Sequence, residues 1–258
     1  MRVVLLGGLL ALGACNAQPG QNGGSTNSVG RIAAEPVTLT TSDRVQVDGV
    51  HTQAEHPRAL ILLFHQDDSG RDEYALIAPR LAQAGYSSLR IDQRRGGALF
   101  GGNETAQRLG KRVGYLDAMP DLVAALDWAK QKKLPVILWG SSYSASLAVM
   151  LASQRPNDVA GVLAFSPGEY FDDTHLLARE SARLRAPVFV TSAQDGREID
   201  AARAVIEAAP AETKVQFVPK LGGVHGSSTL LRAANPEGAE PAWKAVMAFL
   251  DTVTAAKR

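Results

Sequence analysis

Three polar side chains of this 258-residue chain stand where they can act in series. Ser142 lies in Gly140-Ser141-Ser142-Tyr143-Ser144, Asp195 in Ser192-Ala193-Gln194-Asp195-Gly196, and His225 in Gly222-Gly223-Val224-His225-Gly226. Each follows an apolar run of strand length. A serine hydroxyl is a weak nucleophile until a base takes its proton, and imidazole, with an ordinary pKa of roughly 6.5, suits that task near neutral pH. A carboxylate on the far ring nitrogen fixes the tautomer and stabilises the imidazolium. The three residues therefore read as nucleophile, general base and orienting acid, with Asp172, Asp173 and Asp200 as substitutes for Asp195.

Such a set needs a frame that brings distant loops together. Strand-length apolar runs alternate here with helical patterns, the order of a parallel sheet covered on both faces. Residues 37–40 and 45–50 alternate as exposed strands do, whereas 59–64 is continuously apolar, as a doubly buried strand should be. A helix over 73–84, with Pro79 as a kink or break, precedes a strand at 87–91. A helix at 119–130 leads to a strand at 136–139, an Ala-rich helix to Gln154 and a strand at 159–165. Then come strand 188–192, helix 201–208, strand 214–218 and a final helix over 242–253. The expected class is α/β: a mostly parallel central sheet with helices on both faces. Too few residues separate 165 from 188 for a large lid domain. In such sheets ligands gather outside the carboxyl ends of the strands, where all three polar residues fall.

From about residue 37 to 253 the chain resembles the α/β-hydrolases, close to the dienelactone-hydrolase-like and small serine esterase branches. The resemblance rests on the order Ser, Asp, His and on Leu138-Trp139-Gly140-Ser141-Ser142-Tyr143-Ser144, which is similar to the nucleophile elbow G-x-S-x-G. That turn tolerates only small residues two positions either side of the nucleophile. Gly140 satisfies it, and Ser144 replaces the second glycine; with Ser144 as nucleophile, Ser142 would fill the earlier glycine position, a poorer fit. The resemblance implies an oxyanion site built from the Tyr143 N–H and that of Gln66 or Asp67, in the loop Phe64-His65-Gln66-Asp67. It makes His65 a brace of that loop. Arg94, Arg95, Glu169 and Tyr170 are candidates for a substrate pocket, and either arginine could fork onto a substrate carboxylate. The only cysteine is far from any strand end, so the thiol nucleophile of true dienelactone hydrolases is missing, which points to a serine esterase. No metal or organic cofactor is implied. The implied activity is hydrolysis of a small-molecule carboxylic ester through an acyl-enzyme; a thioesterase or amide hydrolase would use the same residues. A surface binding protein that kept this fold without the activity is the alternative from another class.

The N-terminal region carries a different message. An apolar run over residues 3–12 ends at Leu12-Gly13-Ala14-Cys15, which resembles the lipobox of bacterial lipoproteins. The run is short of the roughly 20 apolar residues of a membrane span, so residues 1–14 read as a signal peptide. The resemblance implies a lipid on Cys15, a membrane as partner, and, with Asn16 and not Asp after the cysteine, the outer membrane facing the periplasm. Residues 15–31 are Gly-, Ser-, Asn- and Gln-rich and read as a flexible tether, leaving 32–258 as one domain. With 27 basic against 26 acidic side chains and no long run of either sign, there is no footprint for nucleic acid. Asn103-Glu104-Thr105 matches a glycosylation acceptor by chance.

Overall fold

The computed structural model describes residues 32–255. The signal peptide, the lipid on Cys15 and the tether fall outside the described residues. Among those described, no helix is long and apolar enough to cross a membrane.

Eight strands form one sheet. They are β1 (Ala33–Thr40), β2 (Gln46–Gln53), β3 (Ala59–Phe64), β4 (Tyr86–Ile91), β5 (Val136–Ser141), β6 (Gly161–Phe165), β7 (Val188–Thr191) and β8 (Lys214–Phe217), in the order β1-β2-β4-β3-β5-β6-β7-β8. β2 runs antiparallel to both β1 and β4, and every other pairing is parallel. The helices are α1 (Ile77–Gln83), α2 (Glu104–Leu109), α3 (Met119–Lys130), α4 (Tyr143–Gln154), α5 (Leu176–Ser181), α6 (Gly196–Ala208) and α7 (Ala239–Ala255).

Why the central strands carry no polar alternation is visible in β3, which is buried on both faces. Leu60, Leu62 and Phe64 enter one core with α3, α4 and α6, while Ala59, Ile61 and Leu63 enter a second core with α1 and α7. β5 divides likewise, Leu138 to the first and Ile137 and Trp139 to the second. Trp139 stacks on Phe165 at 4.7 Å between centroids and gives its indole N–H to Ser227 at 3.0 Å, so the second core ends directly beneath the His225 loop.

The order places the switch point between β3 and β5. The chain leaves β3 toward β4 on one side and later returns to β5 on the other, so the loops after these two strands diverge and open a crevice. The parallel strands also end level: Phe64 pairs with Gly140, Ser141 with Phe165, and Phe165 with Thr191. Residues just beyond these ends share one rim.

Several boundaries differ from the sequence reading for local reasons. The helix expected over 73–84 is split into a 3₁₀ turn, Arg71–Tyr74, and α1. Pro79 therefore sits in the first turn of α1, where its missing N–H has no acceptor to lose. α6 begins five residues earlier than expected because Asp195 caps it. α2 and α5, six residues each, are too short for a periodic signal.

Candidate active site

Ser142 occupies the one-residue turn between β5 and α4, with φ 59° and ψ −127°. That left-handed conformation costs a side-chain-bearing residue roughly 1–3 kcal/mol, and the surroundings enforce it. The Ser142 N–H is held by the Phe165 carbonyl at 2.8 Å. A Cβ on Gly140 would lie 2.2 Å from the Ser144 carbonyl oxygen, so only glycine fits there. Ser144 has its own reason for replacing the second glycine. Its hydroxyl donates to the His65 carbonyl and accepts from Gln93 Nε2 at 2.7 Å, tying the loop after β3 to the elbow.

His225 sits on a loop clamped to the same rim. The Gly226 N–H donates to Ser166 Oγ and the Ser227 N–H to Ser141 Oγ, each at 2.9 Å. Gly226 has φ 67°, and a Cβ there would lie 2.3 Å from Ser141 Oγ, so the glycine brings this loop against the residue before Ser142. The imidazole Nδ1 lies 2.8 Å from Glu198 Oε1. No hydrogen bond of the described residues joins Ser142 Oγ to His225, whose Nε2 is without a partner. In unliganded sites catalytic hydrogen bonds are often long or poorly aligned and tighten only on substrate.

The carboxylate that meets the histidine is therefore Glu198, and the assignment to Asp195 is corrected. Asp195 is the N-cap of α6, its side chain accepting from the N–H groups of Arg197 at 3.1 Å and Glu198 at 3.4 Å. Glu198, three residues on, reaches back to the Ala193 N–H at 2.9 Å with its second oxygen. Burial pushes the Glu198 carboxyl up, but hydrogen bonds from His225, the Ala193 N–H and the Ser166 hydroxyl outweigh it and hold the group at about 2. None of the substitutes, Asp172, Asp173 and Asp200, bonds His225; Asp173 pairs with Arg179 and Asp200 with Arg203. The missed signal was Asp195-Gly196-Arg197-Glu198, an acid-x-x-Glu pattern that starts a helix and turns the Glu back over its end.

The oxyanion candidates separate as sharply. The Gln66 N–H is committed to Glu73 Oε2 at 2.8 Å, beneath the surface. Tyr143 opens α4, so its N–H has no acceptor inside the helix. The Asp67 N–H likewise makes no hydrogen bond among the described residues. His65 is fully buried, with Nδ1 2.7 Å from the Gln66 carbonyl and Nε2 accepting the Gln93 N–H at 3.0 Å. Burial lowers its pKa to about 4, so it braces the loop as a neutral ring.

Of the four pocket candidates, one stands beside Ser142. The half-buried Tyr170 phenol lies next to the Ser142 hydroxyl and donates to the Ser166 carbonyl at 2.8 Å. Arg94 is corrected to a structural role: it is buried, Nε and Nη2 bind Asp121 at 2.9 and 2.8 Å, and Asp43 takes the remaining donors. Arg95 lies near the rim but is committed, forked onto Asp67 at 2.7 and 2.8 Å with Nη1 on the Val113 carbonyl. It packs over Tyr115, whose ring stacks on Tyr143 at 4.8 Å. Glu169 is corrected too, since its carboxylate accepts the Leu177 and Ala178 N–H groups, both at 2.8 Å, at the start of α5. Asn103 is not a surface acceptor; it is buried, caps α2 and holds the Gln93 carbonyl at 2.9 Å.

Comparison with known proteins agrees with this architecture. A family model described as serine aminopeptidase, S33, matches residues 55–227. A comparison with curated protein sequences finds no match. Among solved structures, the chain is similar to a dienelactone hydrolase from Anabaena variabilis, with 18% identity, TM-score 0.66, and 85% of this chain and 97% of that one covered. It is similar to an esterase of Pyrococcus furiosus, with 18% identity, TM-score 0.65, and coverage of 86% and 93%. It is similar also to a brefeldin A esterase described as a bacterial homologue of human hormone-sensitive lipase, with 16% identity, TM-score 0.67, and coverage of 87% and 78%. At this identity the likeness is one of fold, and the fold is that of the α/β-hydrolases.

Proposed function

The chain belongs to the serine aminopeptidase S33 family, and from that premise we propose that it hydrolyses small carboxylic esters through an acyl-enzyme. Ser142 attacks the carbonyl carbon, and His225 Nε2 takes the hydroxyl proton and returns it to the leaving alcohol. Glu198 holds the ring through Nδ1 and stabilises the imidazolium. The N–H groups of Tyr143 and Asp67 receive the oxyanion, and water then deacylates the serine by the reverse proton path. The observation that carries the reading is the 2.8 Å His225–Glu198 pair on a loop clamped to the residue before a serine held at positive φ.

The family's description raises a second reading, removal of N-terminal residues from peptides by the same groups. That reaction needs a carboxylate free to bind the substrate's ammonium group. Of the acids in the loops that follow β3 and β6, Asp67 is engaged by Arg95, Arg112 and Tyr115, and Glu169 by the N–H groups that start α5. This favours esters.

A fluorophosphonate tests the proposal: it should modify the peptide containing Ser142, and the protein should turn over phenyl acetate faster than an alanyl anilide. An enzyme preparation that takes up no phosphonate and splits neither substrate would leave only the binding-protein alternative.

The proposal includes export and lipid attachment at Cys15, supported by the Leu12-Gly13-Ala14-Cys15 sequence. In cells fed labelled palmitate, a Cys15→Ser variant should lose the label and leave the membrane fraction. Equal labelling of the variant would refute it.

A further inference from the structure

Glu73, in the 3₁₀ turn Arg71–Tyr74, was not among the sequence candidates. It is 1% exposed. No Lys or Arg pairs with it among the described residues. One oxygen accepts the Gln66 N–H at 2.8 Å, and the other, Oε1, is buried without a hydrogen-bond partner. The hydroxyls of Ser141 and Ser69 lie beside it, and His225 is near enough to feel its charge. Burial raises its carboxyl to about 7 against those interactions. An unpaired buried carboxylate is destabilising, and a neutral side chain of the same shape would cost less. Its place in the fold gives it a use.

The loop after β3 binds this carboxylate through the Gln66 N–H, Ser141 of the elbow lies beside it, and the histidine loop is tied to that same Ser141 hydroxyl by the Ser227 N–H. Successive backbone N–H groups of a turning loop point in different directions. Drawing the Gln66 N–H inward therefore leaves its neighbour to face the crevice. Resting on the hydrolase reading above, we propose that Glu73 is the positioning residue of the oxyanion loop, binding the Gln66 N–H so that the Asp67 N–H, with that of Tyr143, faces the reacting carbonyl.

Two variants separate this from mere packing. Glu73→Met keeps length and burial, removes the acceptor and relieves the unpaired charge, so its melting temperature should match or exceed that of wild type. Its rate of phosphonylation at Ser142 and its kcat should nonetheless fall about 100-fold, the size of losing one oxyanion donor, with KM within a few-fold. Glu73→Gln restores an acceptor oxygen at the same place and should recover both to within about 5-fold of wild type, on the scale by which a positioned hydrogen bond matters. A folded Glu73→Met that reacts at the wild-type rate, or a Glu73→Gln as slow as Glu73→Met, would overturn the assignment. Should Glu73→Met fail to fold, the wild-type phosphonate adduct decides. Its phosphonyl oxygen should accept from the Asp67 and Tyr143 N–H groups with Gln66 still on Glu73; an oxygen on the Gln66 N–H would overturn it. Wild type that takes no phosphonate indicts the hydrolase reading, whereas labelled wild type with an unaffected Glu73→Met indicts this inference alone.

Discussion

Glu198→Gln is expected to lower kcat for an aryl ester by about 10³–10⁴, while Asp195→Asn leaves it within a few-fold of wild type. The two residues begin the same helix, so the contrast tests geometry and not neighbourhood. Glu198 accepts from His225 Nδ1, and an amide in its place can offer that nitrogen an N–H, which selects the wrong tautomer and turns Nε2 from acceptor into donor. The charge matters as well. The hydrogen bonds that hold the Glu198 carboxyl at about 2 also stabilise the native state. A carboxyl lowered from an ordinary 4.5 contributes stability that is present above that range and lost as pH falls through about 2, so Glu198 stays ionised wherever the imidazole works. Asp195 acts on stability instead: losing an N-cap acceptor costs on the order of 1 kcal/mol, and Asn, itself a good cap, costs less. A melting curve and a kcat measurement on both variants check the pair. Comparable losses of kcat in the two would refute the choice of Glu198.

What the sequence made legible, and what it did not, follows the range of the interactions. The elbow is a local object, fixed by which residues tolerate a turn of two or three bonds, so Gly140 and Ser142 were readable from their own neighbours. The doubly buried strands were readable because a continuous apolar run has few other uses. The carboxylate on His225 is not legible because strand, turn and acid look like one pattern at Asp195, whereas β7 ends at Thr191 and Asp195 is occupied by the helix it starts. Arg94 and Arg95 looked free because their partners lie far off in sequence, Asp43 and Asp121 for the first and Asp67 for the second. Nothing in a linear reading brings residue 43 to residue 94. Ser144, which looked like a tolerated departure, is a tether between two loops, and its role appears only when the His65 carbonyl is placed above it. Glu73 is the extreme case. Its significance is that it is buried and unpaired, and both are properties of the packed molecule.

Ser142→Ala and His225→Ala should each remove about 10⁶ of kcat, the two largest losses of any substitution here, and the double variant should be no slower than either single one. The reason is that the hydroxyl and the ring form one device. Without the ring the hydroxyl stays protonated, and without the hydroxyl the ring has no nucleophile to activate, so the second removal takes away nothing that still works. The residual rate is also informative. Tyr143 and Asp67 would still present their N–H groups to a carbonyl attacked by water, so the double variant should retain about 10³-fold catalysis over the uncatalysed reaction. Adding Glu73→Met to Ser142→Ala should then lower that residue further, because the remaining catalysis depends on the loop Glu73 orients. Steady-state rates at enzyme concentrations high enough to read a 10⁶ deficit are the measurement. Additive losses in Ser142→Ala/His225→Ala would mean the two side chains serve different reactions, and the acyl-enzyme scheme would fall with them.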